Sequence, residues 1–547
     1  MRNTLPATAR TLPQPEDLAD PRRRALLGAT ALAACTAGLA SAPAAARPQR
    51  AADVAANFEA QPLLRALRGV SDQARPLADL QADAQLLGRW PDELRGRFYR
   101  NGPALFERNG ERYHHWFDGD GMVQQFSIGA GQVKHRGRLV RTAKLQAEQK
   151  AGSFLMSAFG THVEGGPPAS GPDSFNTANT NALEHGGRLL ALWEGGSAYA
   201  LDPKDLSTLG PVTWRADAAQ VPFSAHPKVD AAGHLWNIGN AGKQLVAWHI
   251  DPQGRLVQAQ PTASPFPGGM THDMAVTARW LVVPLPPVQM DFLRPWGEGG
   301  RSEGPRPFAL TPGEPLRVLV MDKNDLRQQR VFELPPQMVF HIGNAHEEAD
   351  GEIVLSYVGA PDVQFLNDSA VAMMQGRFST QADSQADSQP HSRPDSASTT
   401  CVARLDMRSG RARVQVFDDT VEFPRVDPRR IGQDSQPPQW LLSAAAWRDK
   451  PRRGGLLHGL QLRHLHSGRS QRFDYGDHQV AEEHIVVPKP GKGSELDAWL
   501  LGTTFDARRQ ATVLNLLDAA HIEDGPVAQA VLPYVLPLGF HGNFTAV

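Results

Sequence analysis

Four histidines, His226, His272, His341 and His541, stand 46, 69 and 200 residues apart, each in a short apolar phrase rich in turn formers. The phrases are Phe223-Ser-Ala-His226-Pro-Lys, Gly268-Gly-Met-Thr-His272-Asp-Met, Val339-Phe-His341-Ile-Gly-Asn-Ala and Pro537-Leu-Gly-Phe-His541-Gly-Asn-Phe. A zinc finger or an HExxH helix packs its ligands into one local element. Ligands spread this widely meet only if the fold is closed and repetitive, so that distant segments return to one point. Together the four phrases point to a metal held by imidazole alone.

The 547 residues suffice for several ordinary domains or for one large closed all-β domain. Apolar residues make up 41% and charged residues 21%, with a net charge of −2, which supplies a core and provides no basic field for nucleic acid. The 50 Gly and 44 Pro are spread along the chain, as expected for short strands and tight turns. Segments such as Leu189–Trp193, Leu235–Ile238, Trp280–Val283, Leu316–Met321 and Ile353–Tyr357 are of strand length and bounded by turn residues. Many short strands predict a sandwich, barrel or propeller, and the histidine spacing favours a propeller, whose blades all surround one axis.

Residues 1–46 differ from the rest. A polar leader ends in Arg22-Arg23-Arg24, followed by an Ala-rich stretch to Ala44-Ala45-Ala46 that is too broken to span a membrane. It reads as a twin-arginine signal peptide, placing the mature chain, residues 47–547, in the periplasm as a single catalytic domain. Leu32-Ala33-Ala34-Cys35 also matches a lipoprotein processing box, which would make Cys35 a lipid anchor. With the leader removed, Cys401 is the only thiol and no internal disulfide forms.

Phe58, Leu63, Leu64 and Leu67 predict one amphipathic helix near the mature N-terminus. Residues 375–400, with the duplicated Gln-Ala-Asp-Ser, predict a disordered insertion, and Pro295 to Pro315 a long loop at the substrate entrance. Phe117-Asp-Gly-Asp-Gly121 lacks the full ligand pattern of a calcium loop and is read as a tight hairpin turn.

The histidine phrases, with Phe98-Tyr-Arg-Asn-Gly-Pro103, Trp116-Phe-Asp-Gly-Asp-Gly-Met122 and Leu192-Trp-Glu-Gly-Gly196, resemble those of the carotenoid cleavage oxygenase family from about Leu87 to Val547. The resemblance implies a seven-bladed β-propeller with a helical and loop cap, and one Fe(II) held on the axis by His226, His272, His341 and His541. It further implies that Glu194, Glu422 and Glu483 stand behind His272, His341 and His541, where a carboxylate accepting the outer N–H fixes each ring's tautomer. Glu482 competes with Glu483 for the third place. The implied reaction inserts O₂ across a carbon–carbon double bond of a carotenoid or apocarotenoid to give two carbonyl products, with no organic cofactor.

The pattern is broken at Ala104-Leu105, at Asn543-Phe544 and at His346, which leaves the ligands intact and opens the question of substrate. Tyr113 and Lys144 suggest the alternative of a stilbene- or lignostilbene-cleaving enzyme, in which such a pair holds a phenolic hydroxyl. Leu155, Met156, Phe159, Met373, Met374 and Phe378 are candidate residues of an apolar entrance able to touch a membrane surface. Zinc is disfavoured, since four protein ligands on tetrahedral zinc leave no open position. His346, five residues after His341, would face the other side of a regular strand. A metal-free propeller acting as a binding module and an iron-dependent isomerase are the other readings.

Overall fold

Short β-rich segments joined by tight turns fold into hairpins, and the hairpins pair into sheets that recur along the chain. The computed structural model describes residues 48–70, 80–290, 308–378, 397–447 and 455–547. Among these stand seven antiparallel sheets of four or five strands, the blades of a β-propeller. Blade 2 runs over Asn181–His185, Arg188–Leu192, Tyr199–Leu201 and Thr208–Pro211. Blades 3 to 6 follow in chain order, with inner strands Lys228–Val229, Ala275–Val276, Met338–Glu347 and Thr420–Arg425.

The ring is closed by exchange between the two ends of the chain. The C-terminal strand His541–Ala546 is the innermost strand of blade 1, pairing with Gly96–Leu105 so that His541 lies opposite Asn101. Gln85–Gly88 in turn adds the outermost strand to blade 7, whose inner strand is Gln479–Pro488. Each sheet is apolar on both faces and must bury both, and the ring achieves this by packing every blade against the next. Val282, Val318 and Val320 of blade 4 meet Ile342, Ile353 and Leu355 of blade 5. Phe98 and Phe126 of blade 1 meet Leu501 and Leu516 of blade 7, sealing the closure.

Over one end lies a cap whose core joins Phe58, Leu64 and Leu67 to Trp116 and to Met373 and Met374. The single N-terminal helix expected from sequence is two elements, an α-helix Ala51–Ala60 and a 3-10 turn Pro62–Leu67. Pro62 is the cause: it removes a backbone donor and drives Gln61 out of the helical region, to φ −121° and ψ 80°. Phe117-Asp-Gly-Asp-Gly121 is no hairpin turn but a 3-10 turn, Trp116–Asp118, leading into Asp120–Gly129. Its buried Asp118 accepts from the backbone of Gly160 and the hydroxyl of Thr161. Met373 and Met374 are fully buried in the short helix Ala370–Met374 and cannot serve as exposed entrance residues, whereas Leu155, Met156 and Phe159 are half-buried.

The leader with Cys35, the centre of the insertion at 379–396 and the loop residues 291–307 lie outside the described residues. The edges of the expected insertion are ordered, since Thr399–Asp406 is a strand of blade 5. Phe308–Leu310, expected in the long loop, pairs with Val288–Met290.

Blade 3 holds the segment before His226 through Trp248, whose indole N–H donates to the carbonyl of Pro222 at 3.1 Å while Trp214 and Phe223 pack on its ring. Trp248→Ala is expected to cost about 3–5 kcal/mol, read as a lower urea midpoint. An unchanged midpoint contradicts this anchoring role.

Candidate metal centre

The four histidines come from blades 1, 3, 4 and 5, at or just before the inner strands, and their Nε2 atoms converge. His226 and His272 stand 3.0 Å apart, His272 and His341 3.3 Å, and His341 and His541 3.1 Å, all measured between Nε2 atoms. The four ligand atoms all lie within 4.8 Å of one another. Two nitrogens each about 2.1 Å from a common ion stand about 3.0 Å apart at a right angle and about 3.4 Å apart at the tetrahedral angle, and the three separations fall within that range.

The carboxylates behind the rings decide what those short separations mean. His341 Nδ1 donates to Glu422 Oε2 at 2.5 Å and His541 Nδ1 to Glu483 Oε1 at 2.8 Å, while His272 Nδ1 faces Glu194 Oε1. A carboxylate only accepts, so it fixes the ring proton on Nδ1 and leaves a lone pair on Nε2. Burial and the neighbouring imidazoles hold His226 and His272 well below the ordinary histidine range, and burial lowers His541 despite Glu483. With Nδ1 of His341 turned to Glu422 and Nδ1 of His541 to Glu483, the Nε2 lone pairs of these two rings confront each other across 3.1 Å. That repulsion is relieved by a cation between them, so the donor set fits a metal ion bound by neutral imidazoles.

The glutamates come from the three remaining blades. Glu194 follows the second strand of blade 2, Glu422 lies in the inner strand of blade 6 and Glu483 in that of blade 7. Every blade thus contributes one group to the centre. At His341, Glu422 and Glu483 the strand is bulged: one extra residue is inserted between Val339 and Ile342, between Glu422 and Arg425, and between Ala481 and His484. Bulges re-aim side chains. At Phe423 the bulge requires a left-handed backbone, φ 56°, and its N–H donates to Glu422. A second irregularity between Ile342 and Asn344 removes the regular alternation assumed for His346. His346 lies farther out along the strand, opposite Val354, and is not among the four clustered residues.

Glu483 and Glu482 take different tasks. Glu483 receives both arms of Arg425 at 2.9 Å, and although burial raises a carboxyl's pKa, Arg425 and His541 outweigh it and hold Glu483 far below the usual range. Glu482 instead pairs with Arg100.

Asp273 was not singled out from the sequence. It follows His272, accepts from Lys228 Nζ and from the backbone of Ile342, each at 2.8 Å, and so ties together segments carrying three of the histidines. Its position in the phrase His272-Asp273 was visible; its partners are 45 and 69 residues away and were not.

Tyr113 and Lys144 do meet, with Lys144 Nζ donating to Tyr113 Oη at 2.7 Å. The ammonium also donates to Asp120 at 2.9 Å and to Glu148 at 3.0 Å, which uses all three of its protons. Burial disfavours its charge, but Asp120, Tyr113 and Glu148 outweigh this and raise its pKa well above normal. In this arrangement the pair is a satisfied structural network with no donor on Lys144 left for a phenol.

Aromatic rings pack close to the histidines. Phe340 stands edge-on to His272 at 5.2 Å between ring centres, and Phe423 lies 5.3 Å from His341 and 5.5 Å from His541. Phe117 links Phe340, Phe540 and Phe159, and Phe159 stacks on Phe308 at 4.7 Å.

Asp273→Ala is expected to weaken metal binding by about 10–100-fold in a competitive chelator titration, because it releases Ile342 and leaves Lys228 unpaired. Unchanged affinity removes Asp273 from the support of the centre.

Comparison with known proteins agrees with this geometry. The model of the retinal pigment epithelial membrane protein family matches residues 74–546. Apocarotenoid-15,15'-oxygenase of Synechocystis is 30% identical over 498 residues, 87% of this chain and 95% of that protein. Isoeugenol monooxygenase of Pseudomonas nitroreducens is 26% identical over 482 residues, covering 85% of this chain and 94% of the relative. Among solved structures, a cobalt-substituted Synechocystis ACO superposes with a TM-score of 0.74 at 27% identity, covering 89% of this chain and 98% of that one. Seven blades, a ring of four imidazoles and a match across nearly the whole propeller place the chain in the family of the retinal pigment epithelial membrane protein and the carotenoid cleavage oxygenases.

Proposed function

We propose that this chain is a non-haem iron dioxygenase that cleaves a carbon–carbon double bond of a carotenoid or apocarotenoid with O₂, giving two carbonyl products. The observation that carries the reading is the conjunction of four converging imidazoles with the aromatic rings of Phe340 and Phe423, centred 5.2 Å from His272 and 5.3 Å from His341. His226, His272, His341 and His541 are the proposed ligands of Fe(II), with Glu194, Glu422 and Glu483 behind three of them. Bound there, ferrous iron would supply redox chemistry and open coordination positions, with no anionic ligand to lower its charge.

The chain's own residues account for the rest. Glu422 and Glu483 hold the Nδ1 protons of His341 and His541, so those rings keep their lone pairs aimed inward, and Glu194 stands against Nδ1 of His272. Phe340 and Phe423 shield the imidazoles from water and offer ring faces to a flat polyene. Adding both atoms of O₂ across a double bond yields two carbonyls without gaining or losing a proton. The reaction therefore needs no general acid, and none of the rings over the centre carries one.

The stilbene alternative draws on relatives named for resveratrol and lignostilbene cleavage, each 26% identical, and on the contact between Tyr113 and Lys144. The full occupancy of the Lys144 donors favours the carotenoid reading. Twin-arginine export to the periplasm, with the folded enzyme carrying its metal, completes the proposal.

Iron-loaded protein assayed with an apocarotenal, β-carotene and resveratrol is expected to consume one O₂ per apocarotenal cleaved and to release aldehydes, with resveratrol slower by roughly tenfold or more. Faster turnover of resveratrol supports the stilbene alternative, and conversion without O₂ uptake supports an isomerase. His272→Ala is expected to abolish iron binding and turnover; an active, iron-replete variant overturns the ligand set.

A further inference from the structure

The inner strand of blade 7 carries two consecutive glutamates, of which Glu483 stands behind His541. Its neighbour Glu482 is equally buried and holds the opposite side of the same ligand segment. Glu482 Oε1 accepts from the backbone N–H of Gly539 at 2.6 Å and from Arg100 Nη2 at 2.5 Å, and Arg100 Nη2 also donates to the carbonyl of Pro537. Two residues upstream of His541 are thus tied to a carboxylate of blade 7 and a guanidinium of blade 1.

Downstream the arrangement is repeated. Glu483 accepts from Gly542 N–H at 2.8 Å, and Arg425 donates to Gly542 O at 2.8 Å. In a regular strand, consecutive side chains point to opposite faces. The extra residue between Ala481 and His484 breaks that rule and lets both carboxylates reach the segment 537–542.

Packing around Gly539 is close on two sides. A Cβ at Gly539 would lie 2.3 Å from Arg100 Nε, and one at Gly102 would lie 2.6 Å from Gly539 Cα. Arg100 and Glu482 are each about 5% exposed or less, so the pair is desolvated and its geometry is enforced.

We infer that Glu482 with Arg100 is a positioning pair for His541, a second clamp that fixes the last ligand from its upstream side as Glu483 with Arg425 does from downstream. The inference rests on the metal-centre reading. His541 enters the ring on the closing strand, so its Nε2 is set by how firmly the 537–542 segment docks on blades 1 and 7. Loss of the upstream clamp leaves the His541–Glu483 contact in place while letting the imidazole tilt.

The test is Co(II) titration of the full-length metal-free protein, followed by the visible ligand-field bands, with the thermal midpoint of the metal-free protein measured in parallel. Removing one partner would strand a buried charge, so both are removed together in Glu482→Leu/Arg100→Met, which spares stability. The double variant is expected to keep its thermal midpoint yet bind Co(II) at least about tenfold more weakly, with shifted bands. Glu482→Gln, which still presents an acceptor to Gly539 but leaves Arg100 without its counter-charge, is expected to lower the thermal midpoint yet stay within about twofold in Co(II) affinity, which marks position and not charge as the cause. If the double variant does not fold, Gly539→Ala, which displaces Arg100 by contact, is expected to weaken Co(II) binding in its place. A folded double variant, or Gly539→Ala, with unchanged affinity and bands overturns the inference while leaving the metal centre standing. An unsubstituted protein that takes up no Co(II) overturns the metal-centre reading and this inference with it.

Discussion

Like dipoles turned toward one another are the constraint on which this structure depends. Glu422 and Glu483 accept from the outer nitrogens of His341 and His541, and Glu194 faces that of His272, so the three rings point their inner nitrogens at each other across about 3 Å in a buried site. A fold gains nothing from such an arrangement on its own. It becomes favourable when a cation fills the gap, and the energy of binding that cation is then available to hold the ring shut. The mutual support extends to closure of the propeller, because His541 belongs to the strand that completes blade 1 and Glu483 to the blade beside it.

Seven identical positions around an axis would place seven equivalent side chains, whereas this centre has four nitrogens inside and three carboxylates behind. The asymmetry comes from local departures from the regular strand. His226 and His272 precede their inner strands, and His341, Glu422 and Glu483 lie at bulges. Bulged inner strands cost ladder hydrogen bonds and, at Phe423, a left-handed backbone. The blade-to-blade cores, built from residues such as Val320, Leu355, Phe98 and Leu501, supply the rigidity that makes this tolerable.

Much of this was legible in the sequence because it is carried by short phrases. Each histidine sits in an apolar, turn-rich stretch, and strand-length segments such as Trp280–Val283 fall within observed strands. What could not be read depends on register and on distant partners. The choice between Glu482 and Glu483 turns on a bulge that leaves no compositional trace. Asp273 acquires its role only from Lys228 and Ile342, and Met373 and Met374, apolar in any context, are core residues because a cap packs over them. Tyr113 and Lys144 could be paired from sequence, but Asp120 and Glu148, which consume the lysine's remaining donors, give that pair its structural character.

Anomalous diffraction from iron-loaded crystals, recorded on both sides of the iron absorption edge, locates the metal. One iron peak per chain is expected, about 2.1 Å from the Nε2 atoms of His226, His272, His341 and His541. A peak lying elsewhere, or density at that point that persists unchanged below the iron edge, would contradict the four-histidine iron centre.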